Sequence, residues 1–240
     1  MLMKTTLTAA FSLLIAFTGT LQPQNINQLP AQKTMKIKLL NPEDFKHTDI
    51  GNPAIPGTVT VLDGGFDITA SGADVWGVKD EFNFVYIEKK GDFDLVVRVE
   101  SLTATHLYTK AGLMAREDLT PSSRHIYFQI FPNNSPRNRN NGGFEYQYRQ
   151  VTGGEMKAIY PAGFEGKPEF PVTFPNTWIR LKRVGNKFSG YTSTNGKSWK
   201  EYASFTLELP EKVYLGAAVT SHKTTDSTTA KFRNIGIIIR

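Results

Sequence analysis

The chain runs to 240 residues, 40% hydrophobic and 21% charged, values that exclude a disordered or fibrous chain and allow one sizeable core. Its net charge is +6 and its pI about 9.4, yet the basic residues are scattered and the one dense spot is Arg137-Asn138-Arg139. No basic helix face or nucleic-acid motif accompanies them, so no nucleic-acid partner is expected. Cysteine is absent, which rules out disulfides, thiolate metal sites, a thiol nucleophile and a lipidated cysteine anchor.

Residues 1–20 read as an export signal peptide. Lys4 supplies the positive start, residues 7–17 the apolar run, and Thr18-Gly19-Thr20 the small residues of a cleavage region. The apolar run falls short of the roughly 20 residues that cross a bilayer. The mature protein is therefore expected to be secreted or periplasmic, monomeric, and without a membrane span once the signal is removed. Residues 21–40 are polar, proline-bearing at Pro23 and Pro30, and without period, as in a tether. Residues 41–240 are expected to form one β-sandwich domain.

Within that domain the apolar residues recur every second position, the period of a strand with two unlike faces. Phe93, Leu95, Val97 and Val99 form one such series, and Ala111, Leu113 and Ala115 a second. Ile126, Phe128 and Ile130 form a third, Phe144, Tyr146 and Tyr148 a fourth, and Ile179 and Leu181 a fifth. Gly185-Asn186 and Thr194-Asn195-Gly196-Lys197 are hairpin signals between neighbouring strands. Residues 213–220 and 230–239 read as two closing strands. Many short strands with regular turns predict an all-β, two-sheet jelly-roll sandwich.

Local marks add to this pattern. In order they are Asp49-Ile50-Gly51, Gly72-Ala73-Asp74-Val75-Trp76-Gly77 leading into Asp80-Glu81-Phe82, then Gly91-Asp92-Phe93 and Lys110-Ala111-Gly112-Leu113-Met114-Ala115-Arg116. Trp178-Ile179-Arg180-Leu181 and Gly190-Tyr191 through Ser198-Trp199 close the series. With these marks, from about Phe45 onward, the chain resembles a family of secreted domains of formally unknown function, the regulation-of-enolase-1-like domains. That family lies in the concanavalin A-like lectin/glucanase superfamily. The resemblance implies a two-sheet jelly roll, often found beside enzymes of polysaccharide metabolism, with a sugar as ligand. Within these 240 residues no companion catalytic domain is expected.

Catalysis on such a sandwich calls for two carboxylates flanking a glycosidic bond. The Glu-x-Asp-x-x-Glu arrangement of retaining glucanases with this fold is absent, and Glu145 is the only acid of its strand. Glu117-Asp118 sits before Pro121, where a solvated turn accounts for it. His47, His106, His125 and His222 show no metal-ligand spacing, and His125, at the start of a strand, reads as a packed or capping residue. A lyase site of Tyr, His and Arg assembled from distant strands stays open. No cofactor is expected. Calcium is the one ion the residues allow, through Asp74, Asp80, Asp92 and Asp94, although the same aspartates serve equally as strand-ending residues that bond turn amides.

Strand parity defines a candidate binding strip. If Phe144 and Tyr146 face the core, then Glu145, Gln147 and Arg149 share the opposite face, with Arg116 and Met114 on one neighbour and Tyr127 and Gln129 on another. Sugars offer hydroxyls to amides, carboxylates and guanidinium groups and apolar ring faces to aromatics, so the strip is a candidate site for a poly- or oligosaccharide. Read blandly, it is an outer face wetted by solvent. Trp178 and Trp199 read as packing aromatics. Trp76, flanked by glycine, is expected to be partly exposed and joins the strip. The functional expectation is an exported, non-catalytic carbohydrate-binding-like domain. The alternatives are a polysaccharide-active enzyme on the same fold and a structural domain without a sugar ligand.

Overall fold

The computed structural model describes residues 35–137, 142–161 and 169–239. The expected signal and residues 21–34 of the expected tether lie outside the described residues, as do Asn138 and Arg139 of the basic spot. The folded unit begins at Met35. Lys36–Leu39 (β1), inside the span expected as tether, pairs as a strand with the last strand of the described residues.

Among the described residues there is no α-helix and only one 3-10 turn, Pro42–Asp44. The first sheet contains β3 (Thr58–Leu62), β4 (Gly65–Gly72), β8 (Phe93–Leu102), β13 (Thr177–Val184), β14 (Lys187–Ser193), β15 (Lys200–Thr206) and β17 (Lys223–Ile239). Its order is β15-β14-β13-β8-β17-β4-β3, with β1 also on β17. The second sheet contains β2 (Lys46–Ile50), β7 (Phe82–Lys90), β9 (Lys110–Arg116), β10 (His125–Ile130), β11 (Phe144–Arg149), β12 (Lys157–Ile159) and β16 (Lys212–Thr220), in the order β12-β11-β10-β9-β16-β7-β2. A short hairpin, β5 (Val75–Trp76) and β6 (Lys79–Asp80), stands apart from both. The fold is an all-β, two-sheet jelly-roll sandwich of the concanavalin A-like type.

The alternation read from the sequence is what divides the faces. Leu95, Val97, Val99, Ile179, Leu181, Phe66, Ile68 and Phe232 of the first sheet meet Leu113, Ala115, Ile126, Phe128, Phe144, Tyr146 and Leu215 of the second in one buried cluster. Gly185 and Gly196 take positive φ (57° and 67°) at the β13–β14 and β14–β15 turns, a backbone region that glycine enters without a Cβ penalty. Strands β1, β2, β3, β4, β7 and β12 and the β5–β6 hairpin add to those expected, although Phe66, Ile68 and Ala70 of β4 alternate with Asp67, Thr69 and Ser71 as clearly as any. No helix among the described residues is long and apolar enough to cross a membrane.

The other face of the second sheet differs from a wetted outer face. Every residue of β9 and β10 is buried, on both sides of the sheet. A second apolar cluster lies there, with Ile50, Val75, Phe82, Phe84, Tyr86, Met114, Tyr127 and Ala218. Val75 belongs to the β5–β6 hairpin, so this short element is the cover.

Candidate functional site

The register of the second sheet puts the expected strip together. Gln129 lies opposite Glu145, Tyr127 opposite Gln147, and His125 opposite Arg149, while Tyr127 also faces Met114 and His125 faces Arg116. The parity assignment holds, but the strip is split in two by the β5–β6 hairpin.

One half is closed. Arg149 forms a bidentate pair with Asp80, both contacts at 2.7 Å, and donates further to the carbonyls of Gly154 (2.9 Å) and Gly77 (3.0 Å). Gly77 takes φ 58° at the hairpin tip, which aims its carbonyl at both Arg149 and the Met156 amide. Arg116 donates to the carbonyls of Asp118 (2.6 Å) and Thr120, lies 3.8 Å from Asp80 and stacks over Phe82. Tyr127 donates its hydroxyl to the Ala218 carbonyl (2.9 Å), and burial raises its pKa well above the ordinary value. Arg116, Tyr127 and Arg149 have no exposed surface. The expectation that they line a ligand groove outside the core is corrected: all three are buried, Arg149 bonded to the hairpin, Arg116 to carbonyls of the Asp118–Thr120 turn and Tyr127 to β16. Sequence parity places a residue on a face but does not reveal a lid over that face.

His125 belongs to the same closed half. Its Nδ1 is 3.0 Å from the Ser123 carbonyl, so this nitrogen carries the proton and the ring is neutral. Burial pushes its pKa down to about 4; Asp80 pulls the other way, and Arg116 and Arg149 push down further. In the unfolded chain the ring returns toward 6.5 and takes up a proton first. The stability tied to the neutral ring is therefore present above pH 6.5 and lost as the pH falls toward 4. Denaturant unfolding across that window should show falling stability in the wild type and a flatter profile in His125→Gln. Parallel profiles would remove the ring from the account.

The other half is open. A cavity of about 280 Å³ is lined by Asp74, Trp76, Tyr108, Lys110, Glu145, Gln147 and His222. Trp76 forms a wall, 41% exposed, with the Lys110 ammonium 5.6 Å from its ring centre. Lys110 pairs with Asp74 (2.6 Å) and also donates to the Val75 carbonyl (3.2 Å). His222 sits at φ 59°, its Nδ1 2.7 Å from the Ala73 carbonyl, edge-on to His106 at 4.4 Å. Burial and the neighbouring His222 lower the His106 pKa.

The floor is Gln129, Glu145 and Gln147. Glu145 accepts the side-chain amides of Gln129 (2.9 Å) and Gln147 (2.6 Å) and the hydroxyl of Tyr160. An ionised carboxylate only accepts, so both glutamines turn their nitrogens to it and their oxygens away. Those two Oε1 atoms are buried and have no hydrogen-bond partner among the described residues. Such acceptors are rare in folded proteins and mark a place where a donor belongs.

Four of the seven residues expected at the site, Trp76, Gln129, Glu145 and Gln147, therefore surround or underlie one cavity. Lys110, Tyr108 and His222 were missed. Lys110 shares the parity of Gly112 and Met114 and was legible. Tyr108 and His222 lie outside the regular strands, where alternation says nothing. A larger hollow of about 440 Å³, at Lys89, Asp92, Asp94, Lys182, Arg183 and Ile237, has its acids and its arginine committed: Asp94 to Arg180, Asp92 to the Gly185 amide, and Arg183 to backbone carbonyls. The four aspartates weighed for calcium are all engaged within the chain, Asp74 with Lys110 and Asp80 with Arg149. Among the described residues no three acidic or histidine side chains converge.

No family model and no curated protein matches the chain. Solved structures do. A functionally unknown protein from Saccharomyces cerevisiae superposes with a TM-score of 0.60 at 13% identity, over 82% of this chain and 97% of the other. The exoplasmic/lumenal domain of VIP36, in its Ca2+/Man3GlcNAc-bound form, gives 0.51 at 11%, over 85% and 90%. A mutant of the GH43 protein BlXynB from Bacillus licheniformis gives 0.53 at 11%, where this chain matches 87% of its own length but only 39% of that enzyme. At these identities the likeness establishes the sandwich fold alone.

Proposed function

We propose that the chain is an exported, non-catalytic carbohydrate-binding domain whose ligand sits on the Gln129–Glu145–Gln147 floor against Trp76. The observation that carries this reading is the buried amide oxygen of Gln147, without a partner among the described residues, in the lining of a cavity with an exposed indole on its wall; the like oxygen of Gln129, whose nitrogen bonds Glu145, lies behind it. Sugar hydroxyls are the donors such oxygens need, and an apolar ring face suits the indole. The superposed VIP36 domain, whose structure is of a Ca2+/Man3GlcNAc-bound form, supports the class of ligand on fold-level analogy. Export rests on Lys4 and the apolar run of residues 7–17.

A second reading, a polysaccharide-cleaving enzyme, has one observation in its favour: Asp74 and Glu145 line the same cavity. Asp74 is held by Lys110 and the Val75 amide, and Glu145 by three donors, an arrangement suited to holding charge in place. A glycan array followed by titration calorimetry tests the binding reading. Trp76→Ala and Gln147→Ala should each weaken binding by about 1–3 kcal/mol, roughly five- to a hundred-fold. Reducing ends or unsaturated products released by wild type and lost in Glu145→Gln would establish the enzyme instead.

A further inference from the structure

Among the described residues no ion pair balances the charge of the floor; Arg137 attracts Glu145 only through space, without a hydrogen bond to it. Glu145 is 6% exposed, and its three partners are neutral donors. Among the described residues no lysine, arginine or histidine nitrogen forms an ion pair with it. The nearest cations are committed elsewhere. Lys110 is bound to Asp74, and Arg137 directs its donors to the carbonyls of Leu107, Asn133 and Ser135 and to the Asn133 side chain. The lining thus sets two carboxylates, Asp74 and Glu145, against one ammonium, Lys110, in a chain whose overall charge is +6. A buried carboxylate without an ion-pair partner is expensive, and two orphaned acceptors beside it add to the deficit.

Resting on the sugar-binding reading, we propose that the saccharide taken here carries a protonated amine, as a de-N-acetylated hexosamine does, and that Glu145 receives it with Gln147 and Gln129. An ammonium supplies one positive charge and three N–H donors, which answers both the unbalanced carboxylate and the unpartnered amide oxygens. A hydroxyl supplies one donor and no charge. A uronate or sulfate brings a second negative charge against the floor, so the basic surface of the chain is no guide to the ligand. A divalent cation such as Ca2+ seeks six to eight oxygens, more than one carboxylate and two amides offer.

The test is calorimetry with matched hexosamine, N-acetylhexosamine, hexose and uronate oligomers in several linkages, below and above the pKa of the amine, with Ca2+ alone as a separate arm. The hexosamine should bind at least tenfold tighter than its N-acetylated and hydroxyl counterparts. That advantage should vanish in Glu145→Gln and when the amine loses its proton. Glu145→Gln should fold, since it keeps the volume of the side chain and an amide oxygen to accept from its neighbours; Gln147→Leu provides a second variant that weakens the same preference. Equal binding of hexosamine and hexose would overturn the amine proposal and leave the sugar-binding reading standing. Tighter uronate binding, Ca2+ binding lost in Glu145→Gln, or a hexosamine preference unchanged in that variant would each overturn it too. A failure of every oligomer to bind would overturn both.

Discussion

Replacing Arg149 by alanine is expected to lower the stability of the domain by about 3–5 kcal/mol, the range seen when one partner of a buried ion pair is removed. Both oxygens of Asp80 are held by Arg149 at 2.7 Å, and neither side chain has any exposed surface. Without the guanidinium, Asp80 stays buried with only the longer contact to a cation, Arg116 at 3.8 Å, and the Gly154 carbonyl loses its side-chain donor while Gly77 keeps the Met156 amide alone. For a chain of this size each kcal/mol moves Tm by about 2–4 °C, so the melting point should drop by roughly 6–20 °C. Asp80→Ala should behave alike, and the double variant should lose much less than the sum of the two, as partners in one network do. The surface pair Arg124–Glu117, about a quarter exposed on each side, serves as the contrast: Arg124→Ala should cost at most about 1 kcal/mol. An Arg149→Ala variant that melts like wild type would mean that the hairpin does not depend on this pair.

The second large effect concerns neighbouring residues of β10 that point to opposite faces. Phe128→Ala opens a cavity between the sheets, where the ring contacts Phe144, Tyr146 and Tyr202, and should cost about 3–5 kcal/mol. Tyr127→Ala should cost a similar amount, although its ring points the other way. It opens a cavity beneath the β5–β6 hairpin and leaves the Ala218 carbonyl without its donor. On an ordinary outer face the second substitution would shift stability by no more than about 0.5 kcal/mol. Equilibrium denaturation of the two variants side by side measures this directly. A near-neutral Tyr127→Ala beside a crippled Phe128→Ala would show that the hairpin is not packed on the sheet.

This pair of residues also shows how far the sequence could be read. The alternation of Phe128 with Tyr127 and of Tyr146 with Gln147 placed each side chain on the correct face, because the strand period leaves no other choice once one face is apolar. The two-sheet architecture followed from the same signal repeated along the chain. The lid was not legible. Val75, Trp76, Lys79 and Asp80 make two-residue strands too short for any period, and their docking on Arg149 joins residues 69 positions apart in the sequence. Of the candidate site, Glu145, Gln147 and Gln129 were found by parity and Trp76 by its glycine neighbours. Tyr108 and His222 arrive from outside the strands, and what brings them to the cavity is tertiary packing. Arg116 and Arg149, chosen for their ligand-binding chemistry, use that chemistry on the protein's own carbonyls and on Asp80.

The central claim is that the outer face of the second sheet is divided, with a structural half sealed by the hairpin and a binding half floored by Glu145 and Gln147. Heteronuclear NMR of the labelled domain, titrated with an oligosaccharide that binds it, measures this division most directly. The account predicts that the Trp76 indole N–H and the side-chain amides of Gln129 and Gln147 move first and furthest, while the Arg116 and Arg149 guanidinium signals stay in place. Shifts confined to Asp92, Arg183 and Ile237 at the other hollow, or movement of the Arg149 signals ahead of those of Gln147, would contradict it.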